Sequence, residues 1–179
     1  MLALAHHRKA KKDSRQIYRP RNIGRTAGVN KMPDNSQQAQ SANVVFYTEQ
    51  LAAAVAAIEG ASAAVADFFP DFGLSDVTSS LKIVVTPQSE KTIYDTRGSD
   101  EDILKIGIAV MQKATAQEAQ NLLLLCQNIA EELRAEKIGT AQRFGIVKQI
   151  DRDPIYDLPQ MVRTKIFISV ITVTIKVLK

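Results

Sequence analysis

The chain has 179 residues, and 45% of them are hydrophobic, which is enough to bury the core of one compact domain. Its single cysteine, Cys126, excludes an intrachain disulfide, and no apolar run approaches the roughly 20 residues that a membrane-spanning helix needs. The few apolar residues at the amino terminus precede its charges, the reverse of a secretory signal, so we expect an intracellular protein without a membrane partner.

Positive charge is concentrated in the first 31 residues. They hold nine of the 23 basic side chains and one of the 19 acidic ones, a net charge of +8, so the other 14 basic and 18 acidic side chains give the remainder a net charge of −4. Such a segment is suited to dock on a polyanion or on an acidic protein surface. The side chains that we assign to this docking site are Arg8, Lys9, Lys11, Lys12, Arg15, Arg19, Arg21 and Arg25.

Residues 1–42 show no sustained apolar periodicity, and residues 35–43 are rich in glutamine, serine and asparagine. A segment of this composition does not bury enough apolar surface to offset its ordering entropy. We therefore predict an amino-terminal arm over residues 1–42, disordered or extended by itself, and a folded domain over residues 43–179. Docking on a neighbouring subunit, DNA binding and an inert arm all stay open, as does a natural start at Met32 that makes the basic segment incidental.

The domain is predicted to begin with a helix over residues 45–58. Leu51, Val55 and Ile58 recur at helical spacing, with alanines between them that favour helix. Thr48 is suited to cap the start of this helix.

A second short helix is predicted over the alanine-rich residues 61–69, after Gly60 ends or bends the first. The β-branched residues 81–86 predict a strand, which Pro87 is expected to end. Residues 88–101 are polar and indicate a long hairpin loop or a mobile connection.

A second strand and a long helix follow. Residues 102–113 alternate between apolar and other side chains, the pattern of a strand. Thr115 and Glu118 match a capping box, and the helix after them is expected to run to about Glu136, with Gly139 as its stop. Its apolar stripe comprises Leu122, Cys126, Ile129 and Leu133.

The carboxy-terminal part is predicted to contain a strand over residues 144–150, a loop over residues 151–159 and a long strand over residues 162–178. Both faces of the last strand carry apolar residues, so we expect both to be covered, one by the long helix and the other by a neighbouring subunit. The predicted fold class is thus α+β. Its element order is α-β-β-α-β-β, with a mostly antiparallel four-stranded sheet packed against one long helix.

No motif in the chain indicates catalysis. His6 and His7 are the only histidines and both lie in the arm, while Cys126 falls on the apolar face of the long helix, where a small buried side chain is the expected role. The acidic clusters at residues 100–102 and 151–153 have no nucleophile or further ligands beside them. We expect no catalytic residue, no metal site and no cofactor, and hence a protein that is not an enzyme.

The pattern of elements resembles the tail-terminator, or tail-completion, proteins of tailed bacteriophages. The residues that carry the resemblance are Leu81-Lys-Ile-Val-Val-Thr-Pro87, the helix end Glu131-Glu-Leu-Arg134, and the loop Asp153-Pro-Ile-Tyr-Asp157 that leads into Phe167-Ile-Ser-Val-Ile-Thr-Val-Thr174. The resemblance covers residues 45–179, and the arm has no counterpart in it.

This resemblance implies a structural virion protein, assembled in the host cytoplasm, that forms a hexameric ring at the head-proximal end of the tail tube. The ring ends tube polymerisation and contacts the tail tube protein and the head-tail connector, and DNA passes through its lumen without specific binding. The subunit interface is expected at Pro154, Tyr156, Asp157, Phe167, Ile171 and Val173. The alternatives are another connector subunit, such as a stopper or adaptor, and a nucleic-acid-binding module that acts through the arm.

Overall fold

A computed structural model describes residues 35–70, 73–94 and 100–178 of the chain. Its helices are α1 (Asn35–Ala56), α2 (Ala116–Glu132) and α3 (Leu158–Thr164), with one 3₁₀ turn at Leu74–Asp76. Its strands are β1 (Ala64–Ala66), β2 (Lys82–Tyr94), β3 (Asp100–Lys113), β4 (Lys137–Gly139), β5 (Phe144–Asp151) and β6 (Ile166–Leu178).

The six strands form one mixed, curled sheet in the order β1-β2-β3-β6-β5-β4. β1 runs parallel to β2, and all other neighbouring strands are antiparallel. The predicted four-stranded sheet packed against one long helix is therefore wrong. The prediction missed the two three-residue edge strands because a strand that short has too little sequence to show a period.

The sheet curls around α1. This helix contacts β1 and β2 at one edge of the sheet and β4 at the other, so the accumulated strand twist brings both edges to the same helix. We call the side on which α1 and α2 pack the covered face. Its buried side chains form the main core with those helices, and the sheet contributes Ile83, Val85, Leu104, Ile106, Ile108, Val110, Phe167, Ile171, Val173 and Ile175.

The opposite side, which we call the open face, carries no helix of this core. At one end of it a small second cluster is formed by Val77, Val84, Met111 and Ile166, with Ala109 and Ile168 packed beside them. Towards the other end the same face presents polar side chains, because threonines and lysines occupy the alternate positions of β3 and β6.

The alanine-rich segment 61–69 is not the predicted helix. Its residues Ala64–Ala66 form β1 and pair in parallel with Ile83–Val85 of β2. Alanine favours helix when no other contact decides, but three backbone pairings and contact with α1 outweigh that local preference here.

β2 does not end at Pro87 as predicted, but continues to Tyr94. The register of β2 against β3 shifts between Pro87 and Ser89, which marks a bulge. Proline is tolerated at bulges and on unpaired edges, and β1 does not extend past the partner of Val85. The predicted loop 88–101 is thus mostly the two ends of a long hairpin, and its residues 95–99 lie outside the described ranges.

α1 begins at Asn35, so the boundary predicted at residue 43 lies inside a helix. Thr48 does not cap it. The Thr48 side chain is buried in the middle of the helix, and its hydroxyl donates a hydrogen bond to the carbonyl of Val44 over 2.7 Å. The remaining arm residues, 1–34, lie outside the described part of the chain.

The predicted capping box of α2 is confirmed. Thr115 accepts a hydrogen bond from the backbone of Glu118, and the Glu118 carboxylate accepts one from the backbone of Thr115 over 2.7 Å. The helix ends at Glu132, earlier than predicted, and Gly139 is the last residue of β4 instead of the helix stop.

α3 occupies the end of the predicted loop 151–159 and the first residues of the predicted last strand. Asp157 caps it, and Lys165, with a left-handed φ of 61°, ends it. The last strand, β6, therefore begins at Ile166, not at residue 162.

Candidate functional site

Three of the expected interface residues, Phe167, Ile171 and Val173, lie in the core of this chain. Each is 0% exposed and packs with α1 and α2 on the covered face. Their apolar character is therefore explained by contacts within one subunit.

The other three expected interface residues lie in the loop between β5 and α3. Pro154 is exposed and follows a cis peptide bond, Tyr156 stacks on Phe167 with ring centroids 5.6 Å apart, and Asp157 accepts a hydrogen bond from the backbone of Gln160 over 2.9 Å. The hydroxyl of Ser169 in β6 also donates to the carbonyl of Ile155 over 2.6 Å. These contacts hold the loop against β6 while Pro154 and the side chain of Ile155 face outward.

Three exposed apolar residues lie in this loop and in α3. Ile155 is 56% exposed, Leu158 is 53% exposed and Val162 is 66% exposed. Leu158 and Val162 are four residues apart in one helix, so they lie on the same side of α3. We call these three residues the loop–α3 strip. The sequence carried its helical spacing, but the segment was interpreted as loop and strand.

A groove connects Ile155 to α2. Its volume is about 410 Å³, and Leu123, Leu124 and Ile155 line it with Gln120, Gln127 and Arg152. Leu124 is 59% exposed, and exposed amide side chains, such as those of Gln120, Gln127 and Asn128, lie around it on the outer face of α2. Apolar surface rimmed by polar side chains is typical of a protein–protein contact.

A second groove lies between the carboxy-terminal ends of α1 and α2. Its volume is about 620 Å³, and Ala54, Ala57, Ile58 and Leu133 supply its apolar lining. Four exposed carboxylates surround this lining, namely those of Glu59, Glu131, Glu132 and Glu136. We call this feature the acidic groove, and it is suited to take a basic group with an apolar stem.

A buried polar network fixes the far end of the β2–β3 hairpin to α1. Asp102 is 0% exposed and accepts hydrogen bonds from Thr92 over 2.7 Å and from Asn43 over 3.3 Å. Arg143 donates to the side-chain oxygen of Asn43, and its guanidinium lies 4.3 Å from the centroid of Phe46. These bonds join two strands, a helix and the turn before β5, so we assign the network a structural role.

Among the described residues, Tyr47 and Cys126 are the two buried groups with shifted pKa values. Burial raises the pKa of Tyr47, and the nearby Arg143 opposes the shift. Burial also raises the pKa of Cys126, and the nearby hydroxyl of Ser169 opposes the shift. Cys126 is fully buried and free, which confirms the expectation of a small core side chain.

Within residues 35–70, 73–94 and 100–178, no three histidine, cysteine, aspartate or glutamate side chains are grouped so that they could hold a metal ion. Of the described helices, none combines the length and the apolarity of a membrane crossing. The expected docking site of the arm lies outside the described residues.

Comparison of the chain with protein-family models and with curated proteins finds no match.

Proposed function

We propose that this protein is a non-enzymatic structural subunit that forms a ring at the head-proximal end of a phage tail tube, where it ends tube polymerisation and joins the tail to the head connector. The proposal rests on the resemblance carried by Asp153-Pro-Ile-Tyr-Asp157 and the strand after it. The observation that favours assembly is the loop–α3 strip, because it lies in and directly after that same loop.

Burial of the strip in a contact would contribute substantial free energy of association. Full burial of one large aliphatic side chain contributes about 1.5–3 kcal/mol, and the three strip residues and Leu124 are each more than half exposed. In a ring of identical subunits this contribution is repeated at every contact, because each subunit uses the same surfaces. We therefore place the strip at a contact with a neighbouring subunit or with the tail tube.

Purified protein, alone and mixed with tail tubes, tests this function by light scattering after size exclusion and by electron microscopy. We expect rings in solution or rings that cap one end of the tubes. A protein that stays monomeric and leaves the tube ends bare contradicts the proposal.

The strip itself is tested with Ile155→Glu combined with Val162→Glu. A buried, unpaired carboxylate opposes association, so the variant is expected to lose ring formation or tube capping. Val65→Glu is the control, because Val65 is exposed to a similar degree, 53%, but lies on β1. Equal loss of assembly in the control would show that the strip has no specific role in the contact.

Particles assembled without this protein distinguish a tail terminator from a stopper or adaptor. Overlong tails are the result expected of a missing terminator. Heads that lose DNA while tail length stays normal would instead indicate a stopper or adaptor.

A further inference from the structure

The two covering helices and the open face of the sheet differ in charge, while Arg134, Lys148 and Arg152 line a separate groove beside Glu131. This difference bears on how copies contact one another, given the ring function proposed above. The two helices of the covering layer carry only acidic charges. α1 contributes Glu49, and α2 contributes Glu118, Glu131 and Glu132, without a basic residue in either helix. The charged side chains nearest the carboxy-terminal end of α2 also rim the acidic groove.

The open face of the sheet carries exposed lysines. Lys105 of β3 lies between Ser89 of β2 and Thr174 of β6, and Lys91 is the next residue of β2 on the same face. Both lysines are exposed, and neither forms an ion pair with any residue of the described ranges. Lys176, by contrast, is paired with Glu101 over 2.6 Å. Lys91 and Lys105 thus offer two charges to a partner.

Each side also has an exposed apolar residue near its charges. On the open face Val170 is 41% exposed and lies opposite Ala109, which is four residues, or about 13 Å, along β3 from Lys105. On the helix side Leu124 is eight residues, or about 12 Å, along α2 from Glu132. The spacing from apolar residue to charge therefore matches between the two surfaces.

We propose that the open face of one copy packs on the outer face of α2 of the next copy, with Val170 against Leu124 and with Lys91 and Lys105 against Glu131 and Glu132. Lysine stems lie along apolar surface while the ammonium groups reach carboxylates, so the lining of the acidic groove suits them. The contact joins two different surfaces, so it extends beyond a dimer, and it closes into a ring when the rotation between successive copies closes. The occupant of both surfaces is a second copy of this chain.

Charge reversal on each side, followed by mixing, tests the proposal on the full chain. One variant carries Lys91→Glu and Lys105→Glu, and the other carries Glu131→Lys and Glu132→Lys. Each alone sets like charges against each other, so we expect an association at least about a hundredfold weaker than that of the original protein. An equimolar mixture restores opposite charges at every contact, provided that the two variants alternate around a ring with an even number of subunits.

Light scattering of the assembly, or counting of capped tube ends, gives the readout, and circular dichroism shows that both variants are folded. Glu49→Lys serves as the control, since Glu49 is exposed on α1 and lies outside the proposed contact. Raised salt should weaken the original assembly and the restored mixture alike.

Recovery of assembly only in the mixture supports the contact. Assembly by either variant alone, or folded variants that stay apart when mixed, overturns it. Loss of assembly only in the variant with Glu131→Lys and Glu132→Lys would mean that another basic segment occupies the acidic groove. This result also overturns the proposed contact. In these three cases the original protein still forms rings, so the ring function stands. An original protein that never assembles, even on tubes, removes both proposals.

Discussion

The covered and open faces of the sheet carry different kinds of side chain on the same strands. In β3, Ile106 and Ile108 are fully buried against the helices, while Lys105, on the opposite side of the strand, is exposed. The covered face is mostly apolar, with Asp102 and Ser169 as buried polar exceptions, whereas the open face has a buried apolar cluster only at the end covered by Val77. Apolar side chains on both faces of a strand are therefore no proof of a neighbouring subunit, since residues outside the sheet also cover them.

β6 illustrates the point. Ile166 and Ile168, on its open face, pack in the small cluster with Val77, Val84 and Met111 of the same chain. Val170 is the next residue on that face, and it is the one left substantially exposed. A neighbouring subunit is therefore not needed to cover the whole open face of β6. Only the region around Val170 is left for such a contact.

The largest expected effect separates the two faces within β6. Phe167→Ala removes a fully buried ring from the covered face, and we expect the free energy of unfolding to fall by about 3–5 kcal/mol. Thr174→Ala, on the open face of the same strand, should change it by less than about 0.5 kcal/mol. Urea denaturation of both variants gives the comparison, and similar losses would contradict the assignment of faces.

Two glycines provide a second comparison. A methyl group at Gly145 would meet the side chain of Ile175 on the covered face, and we expect overpacking of about 1–3 kcal/mol in Gly145→Ala. At Gly107 the methyl would meet the amide of Gln88, which crosses β3 on the open face and bonds Thr172 over 3.4 Å. This side chain is able to move aside, so Gly107→Ala should cost less than Gly145→Ala in thermal denaturation.

The polar network on the covered side predicts a further difference within β3. Asp102→Ala leaves Thr92 and Asn43 without a buried acceptor, and we expect a loss of about 1–3 kcal/mol. Lys105→Ala, three residues along the same strand but on the open face, should lie within about 0.5 kcal/mol of the original protein. Chemical denaturation measures both, and an unchanged Asp102→Ala would show that water replaces the carboxylate.

The capping box tests the helix that covers the sheet. Thr115→Ala removes the hydroxyl that accepts from the backbone of Glu118, and we expect a loss of about 1 kcal/mol. Gln117→Ala, an exposed change in the same first turn, is the control and should have little effect. Thermal denaturation followed by circular dichroism distinguishes them.

The smallest effect is a dependence on pH. Hydrogen bonds from the backbone and the hydroxyl of Thr115 lower the pKa of Glu118 below its ordinary value of 4.5. A carboxyl whose pKa is lower in the folded state stabilises that state above its unfolded pKa and loses this contribution as pH falls through the folded pKa. The free energy of unfolding should therefore fall less below pH 4.5 in Glu118→Gln than in the original protein. In a Thr115→Ala background, Glu118→Gln should make a smaller difference.

Several local elements could be predicted because neighbouring residues alone determine them. The capping box at Thr115 and Glu118 and the stripe of Leu122, Cys126, Ile129 and Leu133 depend on contacts within one helix, and the structure has both. The strand after residue 100 shows the period of two because the covered-face residues from 102 to 110 are all buried, while Ile103, Lys105 and Ala109 between them are more exposed. The loop–α3 strip was not predicted, because the predicted loop and the predicted last strand together span the residues that form α3.

By itself, then, the sequence determined the long helix with its cap, the existence of the four long strands but not the end of β2 or the start of β6, and the separation of the basic arm from the acidic remainder. The tertiary structure alone decided that an alanine-rich segment pairs as β1, that β2 runs through Pro87, and that the sheet curls until both edges meet α1. It also decided which apolar residues of β6 are buried within the chain. The physical reason is that strand pairing and the cover of each face join residues far apart in sequence, so no local pattern contains them.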